Sequence, residues 1–287
     1  RMIKLAVIGD PISHSLSPLV HGSALEALKI PYHYEKVQVK KGEIEEFLVY
    51  ARKEGIDGFN LTMPHKTDII EYLDGIDKEA ELFGSVNTVK VKDGKLFGYN
   101  TDSEGYVRAL NMKGYTFKNA KIVILGAGGV VSTLALKAGD MGADEITVLN
   151  RTPEKAEAVA KYVSGKTGVT VKSGKMSVDN ISEKTGNCDI LINATPLGMH
   201  GVDGDYEDLS FLDSLKKTAL VSDLIYNPPK TRFLKRAEEL GYSTLNGLGM
   251  LIFQGLLADQ IYLDMDFDLE KIYNYLLYYF KKLIKKQ

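Results

Sequence analysis

Residues 122–151 read IVILGAGGVVSTLALKAGDMGADEITVLNR, and the architecture follows from this stretch. Four apolar residues, Ile122 to Leu125, read as a buried strand that runs straight into Gly126, Gly128 and Gly129. A helix-compatible run follows, and then a second buried strand that ends in Asn150-Arg151. The glycines let the turn be tight. They also let the backbone N–H groups of Gly126, Ala127, Gly128, Gly129 and Val130 approach a pyrophosphate at the helix N-terminus. Val131 stands where a third glycine or alanine would close the usual pattern. A glycine pattern alone is a weak signal, but the strand–turn–helix–strand context that should accompany it is readable here. The stretch therefore predicts dinucleotide binding rather than an ordinary tight turn.

The end of the second strand selects the dinucleotide. An NAD site usually places Asp or Glu about 20 residues beyond the glycines, where it accepts hydrogen bonds from the ribose hydroxyls. Here the strand ends Leu149-Asn150-Arg151-Thr152. A carboxylate would repel a 2′-phosphate, whereas a guanidinium fork and a hydroxyl bind it. Lys155 adds positive charge nearby, and Thr152 also reads as a helix N-cap with Pro153 at the first helical position. Arg151 is the distinguishing residue, and it points to NADP.

Composition sets wider bounds. At 287 residues the chain has room for one large or two ordinary domains. A formal net charge of −2 supplies no bulk field for nucleic acid or anionic lipid, so neither is expected as a partner. The single cysteine, Cys188, excludes an internal disulfide and a thiolate metal cluster, and its surroundings, Asn-Cys-Asp-Ile-Leu-Ile-Asn, read as core. No metal is expected. No apolar run reaches membrane-spanning length and no signal peptide is visible, so a cytoplasmic enzyme is the default expectation. Arg1 precedes Met2 and reads as an addition ahead of the natural start.

The first third of the chain collects polar residues at the ends of short elements. Lys4–Ile8 reads as a strand, followed by Ser13-His14-Ser15-Leu16-Ser17-Pro18. Ser17 and Pro18 read as the cap and first turn of a helix that buries Leu19, Val20, Ala24, Leu25 and Leu28. Hydroxyls crowded before a helix N-terminus make a seat for a small carboxylate. Tyr32–Val39 reads as a strand, Ile44–Lys53 as a helix and Gly58–Leu61 as a strand, a rhythm that implies a mostly parallel sheet. Thr62 and Lys66 then fall in the loop beyond a strand's carboxyl end, where ligands bind in such sheets. His65 reads as a partly exposed loop histidine. An Asp93-Gly94 hairpin follows Asn87, and Asp102 opens the next helix. Ser15, Ser17, Thr62, Lys66, Asn87 and Asp102 together suit a polyhydroxylated acid, because each buried substrate hydroxyl needs a partner.

Several motifs resemble one family. Ser-His-Ser-Leu-Ser-Pro (13–18), Asn-Leu-Thr-Met-Pro-His-Lys (60–66), Val-Asn-Thr (86–88) and Asn-Thr-Asp (100–102) resemble the shikimate dehydrogenase family. So do Gly-Ala-Gly-Gly (126–129), Asn-Arg-Thr (150–152), Asn-Ala-Thr-Pro-Leu-Gly-Met (193–199), Asp-Leu-Ile-Tyr-Asn-Pro (223–228) and Gly-Leu-Gly-Met-Leu-Ile-Phe-Gln (247–254). Their order and joint occurrence are more specific than any one of them. The resemblance implies NADP-dependent interconversion of 3-dehydroshikimate and shikimate in aromatic amino-acid biosynthesis. It implies Lys66 and Asp102 as the catalytic pair, and Ser15 and Ser17 as holders of the substrate carboxylate. Thr62, Asn87 and Gln254 would bind ring hydroxyls with that pair, and Tyr226 would line the site. Thr195, Leu224 and Gly247 join the glycine turn, Asn150, Arg151, Thr152 and Lys155 as implied cofactor contacts. Two positions depart from the family: His65 replaces an aromatic residue, and Ser132 stands where an arginine is more usual.

The expected architecture is α/β in two domains. Residues 1–102 with 247–287 would form a mostly parallel substrate domain, and 103–246 a Rossmann-type NADP domain, with a cleft between them. Asp189–Asn193 and Leu220–Leu224 read as buried strands, Thr231–Leu240 and Met250–Tyr262 as helices, and Gly247 and Gly249 as a flexible joint permitting closure. The last helix, Leu269–Lys285, presents Ile272, Tyr273, Leu276, Leu277, Phe280 and Leu283 on one face and lysines at its dipole's negative end. Oligomeric state, monomer or homodimer, is not legible. A quinate or dual quinate/shikimate dehydrogenase is the nearest rival; methylenetetrahydrofolate dehydrogenase and a non-catalytic NADP-binding regulator stand further off. The regulator lacks a reason to keep both Lys66 and Asp102, and the folate enzyme wants an aromatic slot rather than hydroxyl-rich loops. A fused second enzyme does not fit the length.

Overall fold

The computed structural model describes residues 1–284, and side chains as far as 282. The expected positions Leu283 and Lys285 of the last helix lie outside the described side chains and residues respectively. The chain forms two compact units, one made of Arg1–Gly105 with the segment from Leu251 onward, the other of Tyr106–Met250.

In the first unit, β1 (Ile3–Gly9) leads to α1 (Ser17–Ala27), β2 (Tyr32–Gln38), α2 (Ile44–Glu54) and β3 (Gly58–Leu61). A short α3 (His65–Asp68), β4 (Gly75–Ile76) and α4 (Lys78–Phe83) precede the hairpin β5 (Thr88–Lys92) and β6 (Lys95–Tyr99), and α5 (Asp102–Met112) follows. The six strands lie in the order β2-β1-β3-β5-β6-β4. β1 is parallel to both of its neighbours, and β5 runs antiparallel between β3 and β6. Asp93 and Gly94 both have positive φ, 52° and 75°, as a two-residue hairpin turn matched to strand twist requires. Helices cover both faces of this sheet. Ala6, Ile8, Phe59 and Leu61 pack with Ile44 and Phe47 of α2, while Leu5 packs with Leu25 of α1 and with Ala258 and Tyr262. Helices on both faces bury β3 at every position, Asn60 included.

The second unit alternates strand and helix: β7 (Lys121–Leu125), α6 (Gly129–Asp140), β8 (Glu145–Asn150), α7 (Pro153–Thr167), β9 (Val171–Lys175) and α8 (Val178–Thr185). Then come β10 (Ile190–Asn193), β11 (Leu220–Asp223), α9 (Arg232–Glu239) and β12 (Ser243–Leu245). The sheet is parallel throughout, in the order β12-β11-β10-β7-β8-β9. The order reverses between β7 and β10, which is the switch point of a doubly wound nucleotide-binding sheet. Cys188 is buried at the start of this core, and burial pushes its thiol up to about 12, so it is an inert packing residue.

The chain ends with α10 (Leu248–Leu263) and α11 (Leu269–Ile284). Gly249 is therefore helical and does not form the flexible joint expected from the sequence. Gly247 is also fixed: a Cβ there would meet the Leu224 carbonyl oxygen at 1.9 Å, and its N–H donates to Ile225 O at 2.9 Å. It is a glycine of close approach rather than of flexibility. Tyr273, Leu276 and Phe280 of α11 are buried as its apolar spacing predicts.

Candidate active site

In the first unit Lys66, Asn87 and Asn100 converge on Asp102. Lys66 sits on α3, just beyond β3; its backbone oxygen accepts from Val86 N at 2.8 Å, which ties that turn to the start of the hairpin. The Lys66 ammonium donates to Asp102 Oδ2 at 2.7 Å. The other carboxylate oxygen, Oδ1, accepts from Asn87 Nδ2 at 2.9 Å. The lysine side chain is 34% exposed and Asp102 is 18% exposed, so both remain open to a ligand. Asp102 is the first residue of α5, with its N–H donated to Asn100 Oδ1 at 3.0 Å.

Asn87 is buried. Its Oδ1 accepts from Thr101 N and from Thr88 Oγ1, each at 2.9 Å, while Nδ2 also reaches Thr101 Oγ1 at 2.9 Å. Asn60, buried on β3, donates Nδ2 to Thr88 Oγ1 at 3.2 Å and accepts from the Tyr34 hydroxyl at 2.7 Å. Asn60, Thr88 and Thr101 fall inside sequence motifs without a task of their own there; contacts across 14 to 28 positions leave no local signal.

Ser15 and Ser17 lie after β1 and are half-buried. Ser17 is the first helical residue of α1 rather than its cap: Leu16 holds the cap position, and no side chain caps the helix. Instead the Ser17 N–H donates to Ser15 Oγ at 3.3 Å, which clusters the two hydroxyls at the helix start. Thr62 is half-buried beyond β3, and Gly9 accommodates it, since a Cβ on Gly9 would lie 2.3 Å from Thr62 Cγ2. Gln254 is on α10, its Nε2 donating to Leu251 O at 2.8 Å. A Cβ on Gly105 would meet Gln254 N at 2.8 Å, so the glycine lets α5, which carries Asp102, lie directly against α10. His65 departs from its expected exposure: it is completely buried, with Nε2 at 2.6 Å from Val39 O. The hydrogen bond to a carbonyl distant in sequence draws the ring under the loop. Tyr226 belongs to the second unit, where burial raises its phenol above the ordinary 10.0.

In the second unit the carboxyl ends of the strands carry the dinucleotide candidates. Gly126, at φ 117°, follows β7; a Cβ there would lie 2.9 Å from Ala194 O, so the turn can close only around glycine. Gly128 caps α6, and Cβ atoms on Gly128 or Gly129 would meet nothing within 4 Å. That open face, with Ala127 and Val130 beside it and no side chain capping α6, fits a pyrophosphate approaching the helix N-terminus. Asn150 ends β8 with Nδ2 donated to Thr152 O at 3.1 Å, and Arg151, Thr152 and Lys155 are exposed beyond it. Thr152 caps α7 by backbone position only, since its side chain makes no cap hydrogen bond. Thr195, after β10, donates to Asn193 Oδ1 at 2.7 Å, and Leu224 follows β11.

A doubly wound unit with a bare glycine turn, and a unit bearing a lysine–carboxylate pair, define an NADP-dependent oxidoreductase. Family models agree: residues 7–89 match the shikimate dehydrogenase substrate binding domain, and residues 108–200 match shikimate / quinate 5-dehydrogenase. The chain belongs to the shikimate dehydrogenase family. The shikimate dehydrogenase (NADP(+)) of Methanopyrus kandleri is 40% identical over 259 residues, covering 90% of this chain and 89% of that protein. Among solved structures, shikimate 5-dehydrogenase from Listeria monocytogenes in complex with shikimate and NAD is 34% identical, with a TM-score of 0.87 over 96% of each chain. The Thermus thermophilus enzyme in complex with NADP(H) and shikimate is 32% identical, with a TM-score of 0.80 over 95% of this chain and 98% of its own.

Proposed function

We propose that this chain catalyses the reversible NADP-dependent interconversion of 3-dehydroshikimate and shikimate, with Lys66 and Asp102 as its acid–base pair. The observation that carries the mechanism is the 2.7 Å contact of Lys66 Nζ with Asp102 Oδ2 in a pair that stays partly exposed. Bound NADPH supplies the hydride. Reduction of a ketone leaves an alkoxide, and the Lys66 ammonium stabilises that charge and gives the oxygen its proton. In the oxidative direction a neutral lysine, or a base coupled to it, takes the hydroxyl proton, and Asp102 orients the Lys66 nitrogen. Ser15 and Ser17 donate to the substrate carboxylate, while Thr62, Asn87 and Gln254 partner the ring hydroxyls, with Tyr226 as a further lining residue.

Residues 1–105 with the C-terminal helices are the substrate part, and Tyr106–Met250 the NADP part. The turn Gly126–Val130 holds the pyrophosphate, Asn150, Arg151, Thr152 and Lys155 hold the 2′-phosphate end, and Thr195, Leu224 and Gly247 complete the cofactor contacts. The proposed setting is the chorismate pathway in the cytoplasm, as a monomer or homodimer. Among the described residues no helix is long and apolar enough to cross a membrane.

Lys66→Ala tests the assignment. Its kcat for shikimate oxidation should fall by about 10³-fold, while NADPH affinity, read from nicotinamide fluorescence, stays within about threefold. Near-normal turnover in this variant would contradict the role of Lys66.

A further inference from the structure

Asp102 and Lys66 do not stand alone: a chain of hydrogen bonds leads to them from the far edge of the sheet. Its direction can be worked out from a fixed end. The Thr101 backbone N–H can only donate, and it donates to Asn87 Oδ1 at 2.9 Å, so Asn87 must turn its NH2 toward Asp102. Thr88 Oγ1, 2.9 Å from the same Asn87 oxygen, must therefore be a donor. Its oxygen is then left to accept from Asn60 Nδ2 at 3.2 Å. An independent contact fixes that amide the same way round, because Asn60 Nδ2 also reaches the Asn87 carbonyl at 3.4 Å. Asn60 Oδ1 consequently accepts from the Tyr34 hydroxyl at 2.7 Å. Every link points one way: Tyr34 to Asn60, to Thr88, to Asn87, to the Asp102 carboxylate. Chains in which each bond runs in the same direction polarise one another and strengthen.

Thr88 is the central link. It is completely buried, so it touches no substrate, and among the described residues its hydroxyl is the side-chain group that joins Asn60 to the Asn87 side-chain amide. We infer that Thr88, backed by Asn60 and Tyr34, is a positioning residue for the reaction: together with the Thr101 N–H it holds the Asn87 amide oxygen, and so steadies the amide that presents Asp102 to Lys66. The inference rests on the proposed shikimate reading for its kinetic consequence, but its structural consequence can be read without it.

The test uses the full chain in three forms: wild type, Thr88→Val, which keeps shape and loses the hydroxyl, and Thr88→Ser, which keeps the hydroxyl. With shikimate and NADP, Thr88→Val should lose about tenfold in kcat with KM for NADP unchanged, and Thr88→Ser should recover most of it. Separately, hydrogen exchange at the Asn87 side-chain NH2, followed by NMR, should accelerate in Thr88→Val and not in Thr88→Ser. Wild type failing to turn over shikimate would overturn the shikimate reading alone, and the exchange measurement then decides the positioning role. Unchanged exchange together with unchanged kcat in Thr88→Val overturns the inference, as does unchanged exchange where no turnover exists to compare. A kcat loss that serine does not rescue also overturns it, since packing would then be the cause. Should Thr88→Val not fold, Tyr34→Phe decides: a lower kcat and faster Asn87 exchange support the chain, and wild-type values in both refute it.

Discussion

Burial lifts the Asp223 carboxyl from its ordinary 3.8 to about 6, against the lowering effect of hydrogen bonds from Thr231, the Ile225 N–H and Asn193. The folded chain therefore binds this proton more tightly than the unfolded chain does. Its stabilising contribution is full below about pH 4 and is lost as pH rises through about 6, a swing of about 3 kcal/mol. Asp223→Asn removes the titration, so the thermal midpoint should vary less between about pH 4 and pH 7 than in wild type. An unchanged pH profile would show that Asp223 ionises as it does in water. Single residues in the sequence declare their chemistry but not their company. Asp223 is visible inside a motif, yet nothing local marks it as the acceptor of three hydrogen bonds. His65 reads as a loop residue for the same reason: the carbonyl that buries it, Val39 O, lies 26 positions away.

Helices α1, α5 and α10 meet through glycines in the first unit. Gly105 brings α5 against the backbone of Gln254, and a Cβ on Gly255 would lie 2.5 Å from Val20 Cγ1 of α1. Gly105→Ala places a methyl 2.8 Å from Gln254 N, a backbone atom that cannot swing aside. The variant should lose about 1–3 kcal/mol of stability and turn over more slowly, because α5 carries Asp102 and α10 carries Gln254. Urea denaturation checks the first effect and steady-state rates the second; wild-type stability would mean the helices can separate freely. Elements with strong periodicity are legible in the sequence: β7, α6 and β8 follow from apolar runs around a glycine turn. β9 is not, because Val171–Lys175 is a half-polar edge strand whose pairing with β8 decides its conformation. The start of α1 differs from its sequence reading by one position, since Ser-Pro fits both a cap and a first turn, and only the backbone hydrogen bonds of Leu16 separate them.

The whole molecule is readable where one local pattern repeats. Strand–helix alternation from β7 to β10 gives a parallel sheet whose order reverses beside the glycine turn. The antiparallel pairing of β5 with β6 is readable from its Asp-Gly hairpin, while the two-residue β4 leaves no pattern to read. The polar chain from Tyr34 to Asp102 lies beyond local reading because five separate elements or loops supply it. What these parts accomplish together is decided by the initial rate of reduced-nicotinamide formation by the purified chain. Shikimate and quinate are each to be offered with NADP and with NAD. Turnover of shikimate with NADP is expected, with little for the other three pairs, since Arg151 suits a 2′-phosphate and the hydroxyl pattern suits shikimate. Comparable rates with quinate or NAD would contradict the specificity while leaving the Lys66–Asp102 pair in place, and no rate with any pair would contradict the function itself.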